Sequence, residues 1–158
     1  MKKILNPYTK IEGYNCFGCS PDNENGLQMN FVEDGDYLTC DWEPRGFLAG
    51  YNNILHGGIQ ATLMDEIASW FIQIKLKTAG VTSNMNLRLR KTVPTNQGSL
   101  KLRASLKEVR RNLVDVNVEL INPDGKLGAG GVITYFTFPP DVAKEKLHFP
   151  DHEEFFEK

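Results

Sequence analysis

No stretch of this 158-residue chain is apolar for long enough to cross a bilayer, and no excess of positive charge offers a face to nucleic acid. A spanning helix needs about 20 mostly apolar residues in a row. Binding a phosphate backbone needs a basic surface, whereas here 18 Lys and Arg stand against 20 Asp and Glu, a net charge of -2. Neither a membrane nor a nucleic acid is therefore expected as a partner. Cysteine is scarce, with three in all. An odd count does not make a disulfide framework, so reduced thiols are expected. The start Met1-Lys2-Lys3-Ile4-Leu5 is charged like a secretory leader, but Asn6, Pro7, Thr9 and Lys10 interrupt it before an apolar stretch forms. That makes the cytoplasm the expected compartment. Repeats and low-complexity segments are also lacking, and the length suits one domain over residues 1–158.

What is present is mostly alternation. Residues 1–26 read as a loop-like extension, with Pro7, Gly13, Gly18 and Pro21. Leu27, Met29 and Phe31 alternate with polar residues, Asp34-Gly35 supplies a turn, and Leu38, Cys40 and Trp42 share a face, a pattern that predicts a hairpin. Residues 57–77 instead place Ile59, Leu63, Ile67 and Ile74 at helical spacing, with apolar neighbours around most of the circumference. This predicts one long buried helix. Period-two segments then return at 84–89, 100–106, 114–120 and 127–138, with a turn at Asn122-Pro123-Asp124-Gly125. One helix among six strands predicts an α+β fold, an antiparallel sheet wrapped around the helix. Residues 139–158 form a charged tail able to fray or make a short helix.

The chemistry concentrates in Leu55-His56-Gly57-Gly58-Ile59-Gln60-Ala61-Thr62-Leu63-Met64-Asp65-Glu66. Glycines at a helix start let a ligand approach the backbone, and the unpaired amides there can hold a polarised carbonyl oxygen. Asp65, two turns on, is a carboxylate on a mostly apolar helix, where it needs a partner or a task. Seven residues separate Gly58 from Asp65. They share a helix face but lie about 10 Å apart along the axis, too far for one small reacting group to touch both.

This segment resembles the hotdog-fold acyl-CoA thioesterases of the phenylacetate-pathway (PaaI) type. The likeness extends through Thr82-Ser83-Asn84-Met85-Asn86-Leu87, Lys91-Thr92-Val93-Pro94, Arg110-Arg111-Asn112 and Asp124-Gly125-Lys126. It implies a hotdog fold, a homodimer or homotetramer, hydrolysis of an acyl-CoA thioester without a cofactor, and a site shared between two subunits. In that reading the Gly58 amide, beside Gly57, polarises the thioester carbonyl. Asp65 of the partner is the base or nucleophile, Thr82 holds the attacking water, and His56 orients the loop. Glu66 is the fallback carboxylate. The family often has Asn six residues before the His; here that position is Gly50, with Asn52 and Asn53 as substitutes. Arg88, Arg90, Lys91, Arg110 and Arg111 are the basic residues suited to the phosphates of CoA.

Two other functions belong with this fold: a non-catalytic acyl-CoA-binding protein and a dehydratase. Asp65 in a complete His-Gly-Gly setting favours the hydrolase, and His56 beside two glycines suits a dehydratase poorly. Cys16-Phe17-Gly18-Cys19 is a C-x2-C, but among cysteines only Cys40 remains, and His148 and His152 are not at a familiar spacing. A structural zinc site takes four ligands, so no metal is expected. Cys16 to Leu27 resembles an N-terminal extension found in a subset of these thioesterases.

Overall fold

In a computed structural model, which describes residues 1–158, the chain forms seven strands and two α-helices. The strands are β1 (Lys2–Lys3), β2 (Val32–Asp34), β3 (Tyr37–Trp42), β4 (Gly80–Leu89), β5 (Leu100–Arg110), β6 (Leu113–Ile121) and β7 (Leu127–Thr137). Helix α1 (Gly57–Phe71) continues into a π turn at Ile72–Leu76, and α2 (Pro140–Leu147) follows the last strand. All strands join one sheet in the order β1-β2-β3-β5-β6-β7-β4, and every pairing is antiparallel. The expected α+β architecture is present, with seven strands instead of six. Two strands are additional, β1 and the three-residue β2 that it pairs with through Lys2 and Lys3, both too brief to show a period, while one expected strand is missing.

The core forms where the alternating face of the sheet meets α1. Leu38, Cys40 and Trp42 on β3, Leu100, Leu102 and Ala104 on β5, and Val114, Val116, Val118 and Leu120 on β6 are all buried. They pack with Leu63, Met64, Ile67, Ala68 and Phe71 of α1 in one apolar cluster. Each such large side chain contributes roughly 1.5–3 kcal/mol when fully buried. The helix is not covered all round, however. Gly57 and Gly58 are exposed, and Ala61, Thr62 and Asp65 are only partly buried, leaving an open stripe. The helix ends at Lys77, in the left-handed conformation.

The expected strand at Leu27–Phe31 does not form. Its apolar residues are buried as the alternation implies, but Gln28 has φ 52°, and the amides of Leu27 and Met29 donate to Phe17 and Gly18. The alternation reported burial; the backbone bonds went to the loop around the C-x2-C. The tail is ordered too. Phe149 and Phe155 are buried, Phe155 packs edge-on to Trp70 with centroids 5.7 Å apart, and the Leu5 amide donates to the Phe155 carbonyl. The two chain ends thus meet at the C-terminal end of α1. No helix is long and apolar enough to cross a membrane.

Candidate active site

The start of α1 is shaped by His56. Its backbone is extended, its carbonyl accepts from Ile59 and Gln60, and its Nδ1 accepts from the Gly58 amide at 2.9 Å. The imidazole is therefore an N-cap, as an asparagine would be. With Nδ1 accepting, a neutral ring carries its proton on Nε2. The cap changes which amide is free. Gly58, the expected carbonyl-polarising donor, is already engaged, whereas the Gly57 amide makes no hydrogen bond within the chain. Gly57 and the helix dipole together form the anion-seeking end of α1.

The loop before His56 is pinned to the segment after β4. The Leu55 amide donates to the Val93 carbonyl, the Thr95 amide to the Asn53 carbonyl, and the His56 amide to the Leu48 carbonyl. This pinning brings Arg90 and Lys91 beside the helix start. A cavity of about 620 Å³ results, lined among others by Tyr51, His56, Gly57, Gln60, Leu89, Arg90 and Lys91. Gln60 is buried and donates through Nε2 to the Leu55 carbonyl, but its Oε1 is buried with no partner. Gly50 lies against His56, and a Cβ there would stand 3.5 Å from the His56 Cα. Asn52 and Asn53, the expected substitutes for the family's asparagine, lie in the turn before Leu55. Both are exposed, neither lines the cavity, and Asn53 serves the turn with φ 60°.

Asp65 sits two turns further along α1. Thr82 donates to its Oδ1 at 2.9 Å. Tyr135, on β7, makes a short hydrogen bond to the same oxygen and lies 2.6 Å from the Asp65 carbonyl oxygen. Burial, then the nearby Asp65 charge, pushes the Tyr135 phenol well above its ordinary value, so it stays a donor. Oδ2 accepts no hydrogen bond from the chain. Two hydroxyls thus orient the carboxylate by one oxygen and leave the other available. Thr82 is where the sequence expected a hydroxyl, though it braces Asp65 directly. Tyr135 escaped sequence reading; a tyrosine at a core-facing position of a strand, whose OH needs a partner when buried, was the signal.

The remaining expected residues divide. Glu66 turns away from Asp65 and towards the N-terminal segment. Trp70 Nε1 donates to it at 3.1 Å, and burial pushes its carboxyl up to about 7. Arg88 and Arg90 line a second, 440 Å³ cavity on the open face of the sheet, with Tyr37 and Glu119. Arg110 and Arg111 lie at the other end of the sheet, beside the strand ends where Leu113 pairs with Phe136 and Phe136 with Val81. The sequence's single basic cluster is therefore two groups, separated by most of β4, roughly 30 Å of strand. Arg110 is also engaged, with Nε and Nη2 donating to the two oxygens of Asp115. Arg111 occupies the hairpin turn with φ 57°.

Strand β4 links the two halves of the stripe. Thr82 near its start holds Asp65, and Leu89 at its end lies beside Gly57. It is the sheet edge, and Val81, Met85 and Leu89 are about half exposed on it (46%, 48% and 51%).

The model of the thioesterase superfamily matches residues 52–129, the span from the loop before His56 into β7. Among solved structures, the chain resembles a thioesterase from Haemophilus influenzae, with TM-score 0.64 and 18% identity over 73% of this chain and 84% of that one. It also resembles a Streptococcus mutans protein bound to acetyl CoA, with TM-score 0.66 and 18% identity over 82% and 97%. A third likeness is to zebrafish thioesterase superfamily member 2, with TM-score 0.63 and 24% identity over 73% and 89%. At these identities the likeness is one of fold. No curated protein matches the chain in sequence.

Proposed function

From a chain that belongs to the thioesterase superfamily and has its hotdog fold, we propose hydrolysis of an acyl-CoA thioester to the free acid and CoA, at a site assembled from two subunits. The observation that carries the reading is Asp65. Its carboxylate is braced through Oδ1 by Thr82 and Tyr135 and free at Oδ2, on the same open stripe as the unpaired Gly57 amide.

The two groups are eight residues apart on one helix, about 12 Å along the axis. An antiparallel pairing of β4 with the partner's β4, centred near Met85 and Asn86, removes that separation. It lays residue 82 beside the partner's residue 89, and so sets Asp65 beside the partner's Gly57. Such a pairing also covers Val81, Met85 and Leu89 and satisfies an exposed strand edge, which soluble proteins seldom leave open. In the shared site the partner's Gly57 amide takes the carbonyl oxygen as negative charge develops on it. Asp65 Oδ2 accepts a proton from water as it adds to the carbonyl carbon, or attacks that carbon itself. In the first case the C–S bond breaks and the proton passes from Asp65 to the sulfur, so CoA leaves as the thiol. In the second, C–S cleavage leaves a mixed anhydride that water hydrolyses to the free acid, regenerating the Asp65 carboxylate and supplying the proton taken up by the thiolate. Arg90 and Lys91 at the cavity mouth suit the CoA phosphates, and the acetyl CoA bound to the Streptococcus mutans protein supports that ligand class. The His-Gly-Gly and Asp motif supports the phenylacetate-pathway type within the superfamily, and the cytoplasm is the compartment that suits reduced thiols and CoA esters.

A panel of acyl-CoA esters, assayed by release of free thiol, tests the proposal. Wild-type protein should turn over at least one ester. Asp65→Asn should bind it comparably and lose about 10²–10⁴-fold in turnover. Binding of CoA esters without thiol release would make the protein a binder instead. Near-normal turnover in a folded Asp65→Asn protein would remove Asp65 from the chemistry.

A further inference from the structure

The thioester chemistry leaves the C-x2-C segment unused, yet the fold brings it a third ligand. Cys16 Sγ and Cys19 Sγ are 2.9 Å apart, and Cys16 Sγ is 3.5 Å from Glu66 Oε1. One donor atom from each of the three residues lies within 4.8 Å of the others. The loop is held in place by its backbone. The Ser20 amide donates to the Cys16 carbonyl, and the Leu27 and Met29 amides donate to Phe17 and Gly18. Gly18 is required by the carboxylate itself, since a Cβ there would fall 2.5 Å from Glu66 Cδ. Glu66 fills the place a side chain at position 18 would take. A cavity of about 260 Å³ opens beside the three residues, so a fourth position has room for water. Sequence reading found too few ligands here because Glu66 is 50 residues from Cys16 and meets it only in the fold.

We propose that Cys16, Cys19 and Glu66 bind a zinc ion, with water as the fourth ligand. Two sulfurs and one carboxylate oxygen suit a borderline-soft divalent cation and disfavour magnesium or calcium, which take oxygen ligands. The ion takes both sulfurs as thiolates, and any proton they carry is released to solvent. At Zn–S bonds of about 2.3 Å in a tetrahedron, the two sulfurs stand roughly 3.8 Å apart, so the pair opens from its present hydrogen-bonded contact. No redox step is involved. The ion ties the N-terminal segment to α1 one residue beyond Asp65, and the site stands whether or not the chain hydrolyses thioesters.

The test uses full-length protein, reduced and stripped with a chelator, then titrated with Co2+ and back-titrated with Zn2+. The expected result is stoichiometric uptake with the visible bands of tetrahedral cobalt and a thiolate-to-cobalt charge-transfer band, both abolished by Zn2+. The metal should also raise the melting temperature. Cys16→Ser should lose the charge-transfer band or weaken it sharply. Glu66→Gln and Gly18→Ala keep both thiols and should weaken binding about tenfold or more, at least as much as losing an outer-shell partner does; circular dichroism establishes that each is folded. The proposal is overturned by absence of the charge-transfer band in folded wild-type protein, or by equal uptake in Cys16→Ser. It is equally overturned by unchanged affinity in both Glu66→Gln and Gly18→Ala, or by a Cys16–Cys19 disulfide that persists under thiol reductant and takes no cobalt.

Discussion

Two hydroxyls converge on Oδ1 of Asp65, and this arrangement separates holding the carboxylate from using it. Tyr135→Phe should show the difference. It removes a donor to a charged group, worth about 1.5–3 kcal/mol, and leaves the ring that fills the core. Turnover should fall roughly 10–100-fold while the protein stays folded and KM changes little; turnover unchanged in the folded variant would make Tyr135 a packing residue only. Asp65, Thr82 and the glycines were legible in sequence because they sit in a motif of fixed spacing. Tyr135 was not, because its contact depends on the strand register that sets β7 against the helix. The exchange of Gly58 for Gly57 as the free amide was hidden for a different reason. It follows from the rotamer of His56, whose ring turns back onto the Gly58 amide, and no spacing rule reports a rotamer.

Among the elements, the long helix and the later strands followed from period alone, since a half-buried strand must alternate and a buried helix must repeat every 3.6 residues. Leu27–Phe31 shows the limit. Period two reports which side chains are buried, and a loop packed on the core can satisfy that without a ladder. The β5–β6 hairpin shows another limit. Arg110 was expected to meet phosphate, but pairing across the hairpin delivers it to Asp115, which also accepts from Thr134 on β7. The Arg110 hydrogen bonds hold the Asp115 carboxyl below the usual carboxylate range. The folded value is thus lower than the unfolded value of about 3.9. The pair's stabilisation is present above that unfolded value and is lost as pH falls through the folded one. Asp115→Asn should therefore lower the melting temperature at neutral pH, with the gap from wild type closing as the solution is acidified below about pH 4. A gap that stays constant with pH would mean that Asp115 acts through packing.

The sheet has two unlike ends. At β1 a two-residue strand ends the sheet beside the packed chain termini, whereas β4 presents a long backbone edge with exposed apolar side chains, next to Asp65 and Gly57. The family resemblance implies a site shared between two subunits and the helix geometry suits it, but neither says which surface would join them. The proposed β4 surface follows from the strand after α1 crossing to the far edge of the sheet. The account stands on Asp65 and the partner's Gly57 acting together, and mixing two inactive variants measures this most directly. Gly57→Pro removes the free amide at the first helical position, where proline fits. His56 before it is already extended, at φ -57° and ψ 135°, and a Cβ at Gly57 meets only Leu89, at 3.8 Å. Asp65→Asn removes the carboxylate. Each variant alone should be inactive. Refolded together in equal amounts, half of the dimers are mixed, and each mixed dimer holds one site with both defects and one with neither. The mixture should therefore recover about a quarter of wild-type thioester hydrolysis. Mixed dimers that form, as shown by distinct affinity tags, and remain as inactive as their parents would place both groups in one subunit and contradict the shared site.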